Sequence, residues 1–199
     1  MSYTIHHTNA LILSSGQYGE ADAIVTLFTE DFGRVHARAI GVRKEASKLR
    51  FALQPYSYAK VALVRGREVW RLTGAQIQHS LFYDCPADMQ PTLLRVTSLL
   101  KRLVHGEEAH PELFVFLSES LHPQTLSSLT KEDRELLEIY IVFRVVTMLG
   151  YGSEDLIQFE QRSPADYCGQ ELTDRLEKLR GHQKQLVQHI NQALEASHL

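Results

Sequence analysis

Ile24-Val25-Thr26-Leu27-Phe28-Thr29, followed by Asp31-Phe32-Gly33 and then Val35-His36-Ala37-Arg38-Ala39-Ile40-Gly41, is a strand, a turn and a second strand written in succession. The first run is rich in β-branched residues, and the second alternates apolar and polar residues at period two, the spacing that puts one set of side chains on each face of a sheet. Outward from this pair, Ala10-Leu11-Ile12-Leu13 is a short apolar run that stops at the turn signal Ser14-Ser15-Gly16. Tyr58 to Val64 and Val69 to Ile77 flank the turn Arg65-Gly66-Arg67. Five short strands bounded by Gly and Asp turns, with one long connection from Gly41 to Pro55, predict a small antiparallel barrel.

The texture changes after Leu81. Leu93, Val96, Leu99, Leu100 and Leu103 recur at spacings of three and four, the mark of an amphipathic helix. Leu113, Phe114, Leu117 and Leu121 repeat the pattern. Thr130-Lys131-Glu132-Asp133 resembles a capping box, with Asp in place of the usual Glu, and opens an apolar run from Leu136 to Leu149 that ends at Gly150. This run is apolar on nearly every face, so it is expected at the centre of its domain, with Arg144 either paired inside it or snorkelling outward. Leu172, Leu176 and Leu179, then Leu186, Ile190 and Leu194, predict two last helices broken near Gly181, after a loop around Ser163-Pro164. The reading is therefore α+β: a barrel over residues 1–80, then an all-helical domain over 81–199.

At 199 residues, 44% hydrophobic and 23% charged, the chain can bury a core without disulfides or metal. The longest apolar stretch, Ile139 to Leu149, is short of the roughly 20 residues a membrane span needs and contains Arg144. No basic segment leads into an apolar one at the N-terminus, so no secretory signal is expected. Cys85 and Cys168 are far apart and outside any CxxC, which fits a reducing cytoplasm and gives no metal site. The net charge of −3 conceals an asymmetry: residues 1–80 carry +4 and residues 81–199 carry −7. The positive charge is densest from Arg34 to Arg50, where Arg34, Arg38, Arg43, Lys44, Lys48 and Arg50 face only Glu45. Such a strip is either a solvated loop or the footprint of a polyanionic partner.

Signals for catalysis are weak. Neither a phosphate loop nor a GxSxG elbow occurs. His105-Gly106-Glu107-Glu108-Ala109-His110 has the wrong spacing for a zinc-protease helix and reads as a solvated loop between helices. His6-His7 reads as a polar strand start. Glu20 and Asp22 lie close together, but nothing apolar surrounds them to separate their pKa values. Trp70 and Tyr58 read as core residues. No enzyme and no cofactor is expected.

Tyr18-Gly19-Glu20-Ala21-Asp22, then Phe28-Thr29 with Gly33-Arg34, then the stretch Gly41-Val42-Arg43 through Ser47, Leu49 and Leu53-Gln54-Pro55 follow one another in an order that resembles the RecO family of bacterial recombination mediators. Phe143-Arg144 to Leu149-Gly150-Tyr151 is similar to that family's helix ending in LGY, and the last helix to Ser197-His198-Leu199 to its short C-terminal helix. The resemblance implies an N-terminal OB-fold and a helical C-terminal domain. It also implies a cytoplasmic, nucleoid-associated protein that does no covalent chemistry, binds single-stranded DNA, anneals complementary strands and helps load recombinase with RecR and single-strand binding protein. Many members carry a four-cysteine zinc site after the LGY helix. Here the stretch from Asp155 to Phe159 onward offers only Cys168, so metal binding is not carried over.

On this reading Arg34, Arg38, Arg43, Lys44, Lys48 and Arg50 line the binding face with Tyr56, and Phe51, Tyr56 and Tyr58 flank the basic run either as stacking surface for bases or as plugs of the barrel. The alternative is an adaptor whose basic OB face binds an acidic peptide.

Overall fold

Alternate side chains of the central part of each strand in the N-terminal unit turn inward, and that set fills a barrel. In the computed structural model, which describes residues 4–151 and 170–196, the strands are β1 (Ile5–Tyr18), β2 (Asp22–Thr29), β3 (Gly33–Ala39), β4 (Ser57–Val64) and β5 (Trp70–Ser80). They close in the order β1-β2-β3-β5-β4, with β4 returning to β1 and only the β3–β5 pair parallel. A short helix, α1 (Leu49–Ala52), lies between β3 and β4. This is the Greek-key topology of an OB-fold. Ala10, Ile12, Val25, Leu27, Val35, Ala37, Ala59, Val61, Leu63, Trp70 and Leu72 point inward, and Val42 and Leu53 from the β3–β4 connection join them.

Two local features differ from the sequence expectation. Ser14-Ser15-Gly16 does not end a strand. The chain runs on through a register shift between Ile12 and Ser14, and β1 continues to Tyr18. A bulge bends a strand without ending it, and small polar residues serve both purposes. The second feature is a return of the chain. The first compact unit comprises Met1–Asp84 and Val104–Phe114, and the second comprises Cys85–Leu103 and Val115–Leu199. A single cut near residue 80 therefore leaves out a segment that packs with the barrel. Phe114 lies against Phe28 and Tyr58, with ring centroids 5.7 and 5.8 Å away. Gly106 O accepts from Arg34 N–H at 3.0 Å. Glu107 accepts from Trp70 Nε1–H at 2.9 Å and from Arg65 Nη2–H at 3.0 Å. The segment from His105 to His110 is an exposed loop between helices, as the sequence predicts, and through Gly106 and Glu107 it is also a strap on the barrel. Its preceding helix ends at Leu103, and periodicity cannot show where a connection goes next.

The second unit is helical: α2 (Leu81–Asp84) belongs to the barrel unit, and the bundle is built from α3 (Gln90–Leu103), α4 (Pro111–Ser120, divided between the units after Phe114), α5 (Pro123–Ser128), α6 (Lys131–Met148), α7 (Gln170–Leu179) and α8 (Gln183–Ala196). Helix α6 starts where its capping box predicts. Thr130 Oγ1 accepts from Asp133 N–H at 3.2 Å and donates to Asp133 Oδ2 at 2.7 Å. It packs against α3, α7 and α8, which makes it the central helix, and Leu137, Ile141, Val145 and Val146 are fully buried. Arg144 does not snorkel. It is buried, with its guanidinium over the Phe116 ring and Nη2 near Met148 Sδ. Gly150, at φ 79°, ends the helix in the left-handed region that favours glycine. The loop near Ser163-Pro164, Asp155 to Phe159, Cys168 and the terminal Ser197-His198-Leu199 lie outside the described residues. No helix among the described residues is long and apolar enough to cross a membrane.

Candidate nucleic-acid interface

The basic strip divides according to the elements that carry it. Arg34, His36 and Arg38 alternate with the inward Val35, Ala37 and Ala39, so strand periodicity puts all three on the outer surface of β3. Four residues of strand span about 13 Å, so Arg34 and Arg38 sit at opposite ends of that surface. Arg34 lies at the end held by the strap, through its own amide to Gly106, whereas Arg38 lies at the end that leads into the basic loop.

That end is tightly organised. Arg38 donates from Nε and Nη2 to Asp22 Oδ2 at 3.0 and 2.7 Å, and Gly41 N–H donates to Asp22 Oδ1 at 2.8 Å. One carboxylate therefore ties the β3 terminus to the start of β2. The Gly41 amide first, and then the Arg38 guanidinium, hold the Asp22 carboxyl below the usual carboxylate range. Arg43 completes the arrangement by donating from Nη1 to the carbonyls of Gly19 and Glu20 at 3.1 and 2.9 Å, and its own amide bonds to Ala21 O at 2.9 Å. The Glu20–Asp22 pair is thus no carboxylate dyad. Asp22 is an anchor for arginine and backbone.

Beside this anchor lies a groove of about 340 Å³, lined by Ser15, Gly16, Gln17, Ala23, Val42, Arg43, Arg50, Leu53, Gln54 and Pro55. Two arginines and two amides line it, and no carboxylate does. Lys44, Lys48 and Arg50 are exposed on the loop and on α1. The fold therefore brings Arg43 and Arg50 to one groove and leaves Arg34 at the far end of β3.

The aromatic residues separate in a similar way. Phe51 is 70% exposed beside Arg50. Tyr58 is buried under Phe114, so it offers no surface for a base. Tyr56 is half-buried, at φ 66°, with its ring stacked on Phe82 at 6.2 Å. The sequence reading gives no site role to Gln17, Arg71, Tyr18 or Gln54, although the last two stand in motifs that it quotes. Arg71 pairs in register with Arg38, from a strand more than thirty positions away, and Tyr18 lies under the Arg38 guanidinium at 4.9 Å. Only the parallel β3–β5 pairing and the β1–β2 turn bring them together, and no local motif signals either.

Known proteins resemble this chain over about three quarters of its length. Residues 1–81 match the family described as recombination protein O N terminal. Over 150 residues the chain is 29% identical to the DNA repair protein RecO of Desulfitobacterium hafniense, covering 74% of this chain and 52% of that one. It is 32% identical over 148 residues to that of Dehalococcoides mccartyi, covering 74% and 57%, and 38% identical over 117 residues to that of Myxococcus xanthus, covering 57% and 47%. The chain spans about half the length of the curated relatives it matches.

Proposed function

From a chain whose residues 1–81 match the RecO N-terminal family, we propose a DNA repair and recombination mediator that holds single-stranded DNA on the OB barrel. The observation that carries this reading is the groove lined by Arg43 and Arg50 with Gln17 and Gln54, free of carboxylates and continued by the exposed Lys44 and Lys48. Cations tracking phosphates, with amides beside them, bind a strand without reading its sequence. Annealing needs that arrangement, because two strands must be screened from each other's charge while their bases stay free to pair. Strand annealing, recombinase loading, contacts with RecR and with single-strand binding protein, action without covalent chemistry, and a cytoplasmic, nucleoid-associated setting belong to the same proposal. So does the division of labour between a DNA-binding barrel and a helical unit, net acidic, that docks partners.

If Arg43, Lys44, Lys48 and Arg50 each meet a phosphate, the dependence of log K on log salt for single strands has a slope near −3, at roughly −0.7 per contact. Replacing Lys44, Lys48 and Arg50 together by glutamate spares the Arg43 clamp. This triple variant is expected to keep its melting temperature and lose both binding and annealing in a fluorescence titration. Retained annealing by the folded variant overturns the assignment. Phe51, exposed beside Arg50 and Lys48, also suits an acidic peptide carrying apolar side chains. That reading takes over if the same variant keeps DNA binding and loses an Asp-rich peptide.

A further inference from the structure

Arg38 differs from the other cations of the strip. Its charge is already matched: both Nε and Nη2 donate to Asp22 Oδ2, and Asp22 is itself fixed by the Gly41 amide. A guanidinium paired in this way adds little to the counterion release that drives phosphate binding. Its plane, however, is held. Tyr18 lies against one face with the guanidinium carbon 4.9 Å from the ring centroid, and the Arg38 side chain is still 44% exposed. Tyr18 is itself 49% exposed. Gln17, its neighbour in β1 but on the opposite face of the strand, lines the groove, and the next two carbonyls, of Gly19 and Glu20, are those that Arg43 clamps. A flat, neutralised cation over an exposed phenol ring, one strand residue away from a residue that lines the groove, has the chemistry of a stacking platform for a nucleobase.

We propose that Tyr18 and Arg38, locked by Asp22, form a stacking site for one unpaired base of the bound strand, and that Arg38 does not serve as a phosphate ligand. Asp22 is the positioning residue, since it sets the plane of the guanidinium without reaching the base. The inference rests on the single-strand reading above. It departs from the sequence expectation that Arg38 holds the DNA backbone.

The two roles separate in a titration of the full chain with two fluorescein-labelled strands of equal length, one of mixed sequence and one of abasic sites. Under stacking, Arg38→Ala and Arg38→Lys both weaken binding to the base-bearing strand by about five-fold or more, because lysine offers no plane. Neither changes the salt slope, and both leave the affinity for the abasic strand at the wild-type value. Tyr18→Ala, which leaves the ion pair in place, gives the same pattern and covers the case in which an Arg38 variant misfolds. A shallower slope by about 0.7 in Arg38→Ala, with wild-type affinity in Arg38→Lys, identifies a phosphate contact and overturns the proposal. Wild-type affinity in all three variants for the mixed strand overturns it as well. A wild-type protein that binds neither strand overturns the proposed function and this inference with it.

Discussion

Gly33 shows how much one residue can fix. Its φ of 62° is in the left-handed region, and a Cβ built there would lie 1.9 Å from Glu108 O. Glycine is needed twice over, for the turn between β2 and β3 and for the close approach of the strap. Gly33→Ala is therefore expected to lower the thermal midpoint by several degrees, and an unchanged midpoint means the strap does not press on the turn. Asp133 makes a second point at this scale. Its carboxylate takes the Thr130 hydroxyl at 2.7 Å and Arg180 Nη2–H at 2.6 Å, and these bonds, the Thr130 bond first, lower its pKa below the ordinary value. A carboxyl whose folded pKa is depressed contributes stability above its unfolded pKa, near 4, and loses that contribution as pH falls through the folded value. Chemical denaturation at pH 7 and at pH 3 should show a larger drop for the native chain than for Asp133→Asn. Equal drops in both proteins mean that the pair contributes nothing.

Helix α6 is the element on which the second unit is built, and its sequence explains why. The Thr130–Asp133 cap fixes its start, Gly150 fixes its end, and the residues between are apolar on most of the circumference. Such a helix is stable only when surrounded, and α3, α7 and α8 surround it. Leu137 has no exposed surface, so Leu137→Ala removes buried carbon and leaves a cavity, at a cost of about 2–5 kcal/mol. A denaturation midpoint that does not move places the helix outside the core. Among the strands, β3 has the corresponding role. Its inward residues are small, Val35, Ala37 and Ala39, and its outward ones carry His36 and Arg38, so one seven-residue element serves both core and candidate interface.

At the scale of the whole molecule, the two units interleave along the chain. Val104–Phe114 packs with the barrel after an excursion through Cys85–Leu103. Phe28 and Tyr58, both outward on their strands, depend on Phe114 for cover. A fragment of residues 1–84 should therefore unfold at lower denaturant than the barrel of the intact chain, and should bind a dye specific for exposed apolar surface. A fragment as stable as the intact barrel means that the strap only decorates it.

Local information reaches far in this protein, and it stops at an identifiable place. Period-two alternation in Val35 to Ile40 and period-three-and-four recurrence in Leu93 to Leu103 report which face of an element is buried, so strands, helices, the Thr130 cap and the α+β division are determined by the sequence by itself. The charge strip from Arg34 to Arg50 and the motif order that resembles the RecO family are equally local. Tertiary structure alone decided which of those charges act together. Parallel pairing of β3 with β5 sets Arg71 beside Arg38. The β1–β2 turn supplies the carbonyls that Arg43 clamps, the strap claims the Arg34 end of β3, and Asp22 neutralises Arg38. Each of these contacts joins residues 16 to 72 positions apart at the strip's ends, or across the barrel, and a side chain's partner at such separation depends on how the sheet closes. Hydrophobic periodicity reports burial, but it holds no record of closure, and closure is what divides six cations close in sequence between a groove and an anchor.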